Sequence, residues 1–266
     1  RIYESANNRL LNAIQAANPD FLKRETAPIP FEWDIYHKRS QIRYTLGSQI
    51  IQEILHGQYP IGSYLPSFPQ MSGHYHVPLI TVRRTIAFLT DLGVVKSHQG
   101  KGIQVCLGQE NVDMSQANVQ LALNCFLESL QFLALTIRAV SRFTFNGVTD
   151  RTFHELIQTL EQIHEKTMDH LIMDVFLGFL TDHCMSAGVC QCYHKLIKCL
   201  AMGYPFILFR IKDDDLNQAY ADMVLRVIKS LENRDTEGLV ELIGIFFEEQ
   251  EQYFKTFILH INKQNI

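Results

Sequence analysis

Thr81, Arg83 and Arg84 sit close together in the chain and have the chemistry to hold a polyanion. A guanidinium carries a planar fork of donors that matches two phosphate oxygens or the O6/N7 edge of guanine. Thr81 adds a hydroxyl. Downstream, His98-Gln99-Gly100-Lys101-Gly102 places one cation at the tip of a glycine-rich turn. Glycines let such a turn bend tightly and come close to a partner. Ser67, just ahead of Phe68, is an N-cap residue at a helix start that can face phosphate. The plainer alternative for Arg83 and Arg84 is a solvated helix face.

A second group lies further along. Arg138 and Arg142 share one face of an otherwise apolar stripe. If buried, each needs an anionic ligand or a carboxylate; otherwise they point to solvent or to a second subunit. His170 and Asp174 have the same spacing, and Tyr193, His194 and Arg210 complete the candidates for holding a small molecule. His183-Cys184 and Cys190-Gln191-Cys192-Tyr193-His194 bring thiols and imidazoles together. Zinc sites usually use Cys pairs roughly two to four residues apart, and a free Cys packs as a small hydrophobe. Asp213-Asp214-Asp215 reads as a helix cap and solvated turn. No Gly-x-Ser-x-Gly, His-Glu-x-x-His or phosphate-cradling glycine loop is present, so nothing supports an enzyme. No metal and no cofactor is expected.

These groups divide by charge. The 266 residues are 47% hydrophobic and 20% charged, an ordinary globular balance. Net charge is −4 overall, yet residues 36–106 carry +5 and residues 107–266 carry −8. Only the basic middle suits a polyanion. No apolar run approaches the roughly 18 residues of a spanning helix, and no targeting signal opens the chain, so no membrane association is expected. Six cysteines without a staple pattern point to a reducing, cytoplasmic compartment.

Periodicity supplies the elements that position the residues. Ile2–Ala17 shows weak helical spacing, and Asn18–Asp34, with three prolines, reads as a linker. From Ser40 to His56 the apolar positions fit one helix face, and Gly57 ends it. A short helix follows Ser67 and ends near Tyr75, and a third runs from Leu79 to Leu92. Val94–Ser97 and Ile103–Leu107 are expected as a strand pair. After Gly108 six apolar stripes recur: Leu121–Phe143, Phe153–Ile163, His170–Met185, Cys190–Met202, Leu216–Leu231 and Leu239–Ile261. Breaks are expected at Asn146-Gly147, Ala187-Gly188, Gly203-Tyr204-Pro205 and Asn233–Gly238. The fold class is therefore mainly α: a winged helix-turn-helix followed by an all-α helical bundle.

The string Gly57-Gln58-Tyr59-Pro60-Ile61-Gly62-Ser63-Tyr64-Leu65-Pro66-Ser67 resembles the opening signature of GntR-type bacterial transcription regulators. Thr81-Val82-Arg83-Arg84-Thr85-Ile86, Leu92-Gly93 and Gly100-Lys101-Gly102-Ile103-Gln104-Val105 continue it in order. The helix-rich remainder is similar to the subgroup of the fatty-acid regulator FadR. The resemblance implies a DNA-binding domain at 36–107, an effector-binding and dimerising domain at 115–266, and an N-terminal helix and linker at 1–35. It also implies double-stranded DNA, a small effector and a second copy of the chain as partners. Two positions depart from it: Pro69 and Leu79 stand where the FadR-like pattern has base-reading arginines. A second, upstream winged helix is one expectation that this departure raises. Many members of the subgroup bind a metal through an Asp and a His four residues later. Here Asp174 is followed at that spacing by Gly178, and Asp222 or Met223 and Glu248 or Glu249 stand where later histidines would, so the metal site is expected to be absent. The alternatives are a winged helix kept only for protein contacts, or a thiol or metal sensor built on Cys184, Cys190, Cys192 and Cys199.

Overall fold

The apolar positions of the basic segment fold as their spacing dictates. In this computed structural model, which describes residues 41–107, 112–208 and 214–264, helix α1 (Gln41–Leu55) turns Leu46, Ile50, Ile51 and Ile54 inward. Strand β1 (Tyr64–Leu65), helix α2 (Phe68–His74) and helix α3 (Leu79–Asp91) follow. The buried side of α3 carries Val82, Thr85, Ile86, Phe88 and Leu89. Strands β2 (Val95–His98) and β3 (Gly102–Val105) pair antiparallel, with Val95 opposite Val105 and His98 opposite Gly102. β1 adds to the outer edge of β3, giving the order β1-β3-β2. This is a winged helix-turn-helix, with strand limits within about two residues of those expected from the pattern.

The remaining helices form the bundle: α4 (Ala117–Phe145), α5 (Asp150–Glu165), α6 (Ile172–His183), α7 (Ala187–Ala201), α8 (Tyr204–Leu208), α9 (Asp214–Glu232) and α10 (Thr236–Gln264). A 3-10 turn, Asp169–Leu171, leads into α6. α4 and α10 lie against each other along their length, and α4 also packs on α7. Phe126 of α4 meets Phe254 of α10 edge to face, with ring centroids 4.6 Å apart.

Three expectations change here. Ala187-Gly188 is not a break but the first turn of α7, because Ser186 caps it by accepting from the Val189 amide. The break expected at Gly203-Tyr204-Pro205 is present but shorter, at Met202-Gly203, and Tyr204-Pro205 opens the short helix α8, where a first-turn proline costs no hydrogen bond. And α4 is long and apolar enough, by length and composition, to cross a membrane, although the sequence reading expected no such segment. Its burial against α7 and α10 accounts for that apolarity. The proposed helix at 2–17, the linker at 18–34 and the residues Arg210 and Asp213 lie outside the described residues.

Contacts join the helices of the bundle to the winged helix among the described residues. α1 packs on α7. Asn118 of α4 donates to the Asp91 carboxylate, at the end of α3, over 2.6 Å. His56, just after α1, reaches Asp174 of α6, with Nε2 and Oδ2 3.2 Å apart. The described residues form one compact unit.

Candidate functional site

α3 presents one exposed stripe. Ile80, Arg83, Arg84 and Ala87 are all exposed, at helical spacing, on the side away from the core. Leu79 is exposed beside them, and Thr81 is half-buried. The Arg83 guanidinium lies 5.8 Å from the centre of the Phe68 ring, so the start of α2 steadies it. Ser67 stands at the N-cap of α2, as expected, but its hydroxyl donates to the side chain of Gln70 over 2.8 Å. The Ser67 amide donates to the same Gln70 oxygen over 2.9 Å.

The wing is the turn between β2 and β3. Gln99, Gly100, Lys101 and Gly102 are exposed, and the Lys101 amide donates to the His98 carbonyl over 3.1 Å. Gly100 and Gly102 have φ values of 74° and 114°, which side-chain-bearing residues rarely adopt. That is why this turn needs both. His98 is half-buried beside Tyr64, its ring centroid 6.4 Å away, and its Nε2 is buried without a hydrogen-bond partner. A helix with two exposed guanidiniums beside a wing tipped by a lysine can hold a duplex by its phosphates while the first turn of the helix faces base edges.

The small-molecule candidates do not converge. Arg138 makes a paired contact with Glu248, at 2.6 and 3.1 Å, and a third bond to Glu241 at 3.0 Å. Arg142 binds Glu237 at 2.7 Å. Both arginines are thus satisfied by α10, and these carboxylates hold Arg138 in its charged form. Gly244 makes room for this seam, since a Cβ there would lie 2.3 Å from Arg138 Cζ. Arg138→Ala should lower the stability of the fold by about 1 kcal/mol, the scale of a partly exposed pair, which chemical denaturation will measure. Tyr193 is buried, 3.0 Å from the Thr136 hydroxyl, and burial pushes its phenol up to about 12. His194 is exposed and faces the Cys190 carbonyl at 2.8 Å. His170 is half-buried, and burial lowers its pKa.

Asp174 lines a cavity. That cavity, of about 320 Å³, is bounded by His56, Glu155, Asp174, Gly178, Asp182 and His183 among others. His56 is the residue that spacing did not reveal, because its partner is remote in sequence. Its Nδ1 faces the Gln52 carbonyl at 2.7 Å while Nε2 faces Asp174. With an acceptor at each nitrogen the ring is held protonated, and the hydrogen bond to Asp174 raises its pKa to about 9 despite partial burial. Its stabilisation is complete below the ordinary value of 6.5 and is lost as pH climbs through about 9. The stability gap between the native protein and Asp174→Asn should therefore close across that interval, as thermal melts at a series of pH values will show.

Gly178 offers no ligand four residues after Asp174, and no group of three suitable side chains occurs among the described residues. Cys184 and Cys199 are buried, and desolvation raises the pKa of Cys190 and Cys192, which keeps them as thiols.

Comparison with known proteins bears on the first of these sites. An HTH-type transcriptional repressor of Salmonella typhimurium (strain LT2) is 36% identical over 63 residues, which cover 24% of this chain and 26% of that protein. The match thus spans about a quarter of the relative's length. Among solved structures, McbR/YncC of E. coli is 11% identical, with 81% of this chain and 97% of that one covered and a TM-score of 0.42. A GntR family member from Pseudomonas syringae pv. tomato is 12% identical, with 86% and 92% covered and a TM-score of 0.40. Residues 44–105 match the family described as bacterial regulatory proteins, gntR family. That stretch holds most of α1, the helix-turn-helix and the wing, so the similarity to this family lies in the winged helix.

Proposed function

We propose that this protein is a cytoplasmic transcription regulator. Its winged helix (36–107) holds operator DNA, and its helical part (115–266) senses a small effector and pairs with a second copy. The observation that carries the reading is the exposed stripe of α3, with Arg83 and Arg84 beside a lysine-tipped wing, inside a segment that matches a family of regulatory proteins. Catalysis has no part in this reading. The cavity at Asp174 is the candidate effector site, because its wall contains His56 of the winged-helix segment. A ligand that competes for Asp174 would release His56 and change how α1 rests on the bundle. An effector can shift DNA affinity only by binding the two arrangements unequally, and this contact supplies such a difference.

Binding to mixed-sequence duplexes over a range of salt concentrations tests the DNA part. Affinity should fall steeply and log-linearly with salt as phosphate contacts are screened. Salt-independent binding, or none, would oppose the reading. For the effector part, a ligand that raises the melting temperature of the native protein should lose that effect in Asp174→Asn. Equal shifts in both proteins would remove the cavity from the account.

A further inference from the structure

The outward stripe of α3 changes character along its length. Its second turn is cationic, with Arg83 and Arg84, but its first turn is apolar, with Leu79 37% and Ile80 55% exposed. The core does not explain these two residues, because the buried side of α3 is already supplied by Val82, Thr85, Ile86, Phe88 and Leu89. Pro78 at the N-cap makes no side-chain hydrogen bond, so no polar cap sits in front of them. In a docked helix-turn-helix the N-terminal turn of the second helix lies nearest the base edges. A side chain of carbon alone can neither donate nor accept there. The one apolar group a base pair shows in the major groove is the C5-methyl of thymine. Against guanine or cytosine, the same side chains would strip water from O6, N7 or N4 and leave them unpaired, which is costly.

We infer that Ile80, with Leu79, determines operator specificity by packing on a thymine methyl, while Arg83 and Arg84 hold phosphate or guanine one turn further along. The inference rests on the DNA-binding reading above and adds the base it prefers. Arg83, steadied over Phe68, fixes how the first turn meets the groove.

The probe is the duplex recovered by selection from a random-sequence library at fixed salt. Each thymine in that site is replaced in turn by deoxyuridine, which removes only the methyl group. At one position per half-site the replacement should weaken binding by about fourfold, the worth of one buried methyl-sized group. In Ile80→Ala the same replacement should have no further effect, because the methyl has already lost its partner. Ile80 is exposed, so the variant should melt with the native protein, and that melt is the control for folding. If the native protein selects a site but no uracil replacement depends on Ile80, the inference fails and the DNA-binding reading stands. If no duplex is bound in a salt-dependent way, both fail, and the apolar turn belongs to a protein contact instead.

Discussion

Replacing Arg83 by alanine should weaken binding to the selected operator by about 10- to 100-fold, the range for a guanidinium that contacts a base or phosphate in a docked helix. Arg83 is exposed, one turn into α3, and is braced by the Phe68 ring. Alanine is a good helix former, so the variant should keep its fold. Two outcomes separate its roles. If Arg83 holds phosphate, affinity drops equally on all sequences and the salt slope falls by about one. If it reads guanine, discrimination is lost at one base pair. Arg83→Lys keeps the charge but not the planar fork, so it should restore phosphate binding and fail to restore base reading. Gel-shift or anisotropy titrations at several salt concentrations give both numbers.

The largest effect on stability is expected at Gly203. It lies between α7 and α8, directly beneath the fully buried ring of Phe126. A Cβ at 203 would sit 2.1 Å from Phe126 Cδ2, far inside contact distance, and that ring is also packed edge to face against Phe254. The ring has nowhere to retreat. Gly203→Ala should therefore cost about 3 kcal/mol, at the upper end for overpacking a core. For a chain of this size that is a fall of roughly 6–12 °C in melting temperature. The strain has one cause, so the double variant with Phe126→Leu should be less destabilised than the two single changes added together. Simple additivity would show that the contact with Phe126 is not the reason.

How far these features could be read from the sequence depends on the distance their physics spans. The winged helix was legible because its signals are local. Apolar spacing marked α1 and α3, and Gly100 and Gly102 marked the wing. The six long helices of the bundle were legible for the same reason. Ala187-Gly188 misled because a glycine looks like a stop when the Ser186 cap that starts the helix is overlooked. The break at Gly203 was legible, while Pro205 belongs to the first turn of the helix that follows it, where proline fits. The partners were not legible. Arg138 and Arg142 were read as facing an anionic ligand or a carboxylate, or else solvent or a second subunit, and nothing near them in sequence points to Glu237, Glu241 and Glu248. His56 stood only as the last residue of a helical stretch, and only the fold brings it to Asp174. Leu79 and Pro69 were noticed as departures from a resemblance. The exposure of Ile80 beside Leu79, which turns the departure into a surface of one chemical kind, needed the structure.

The most direct test of the central claim is selection from a random duplex library by the native protein and by Arg83→Ala, side by side at near-physiological salt. The account predicts that the native protein enriches one site, arranged as an inverted repeat if two copies bind, and that the variant recovers that site far more weakly or not at all. Equal enrichment by both proteins would contradict it, as would sequence-blind binding that disappears with modest salt, because the exposed stripe of α3 would then not be the surface that reads DNA.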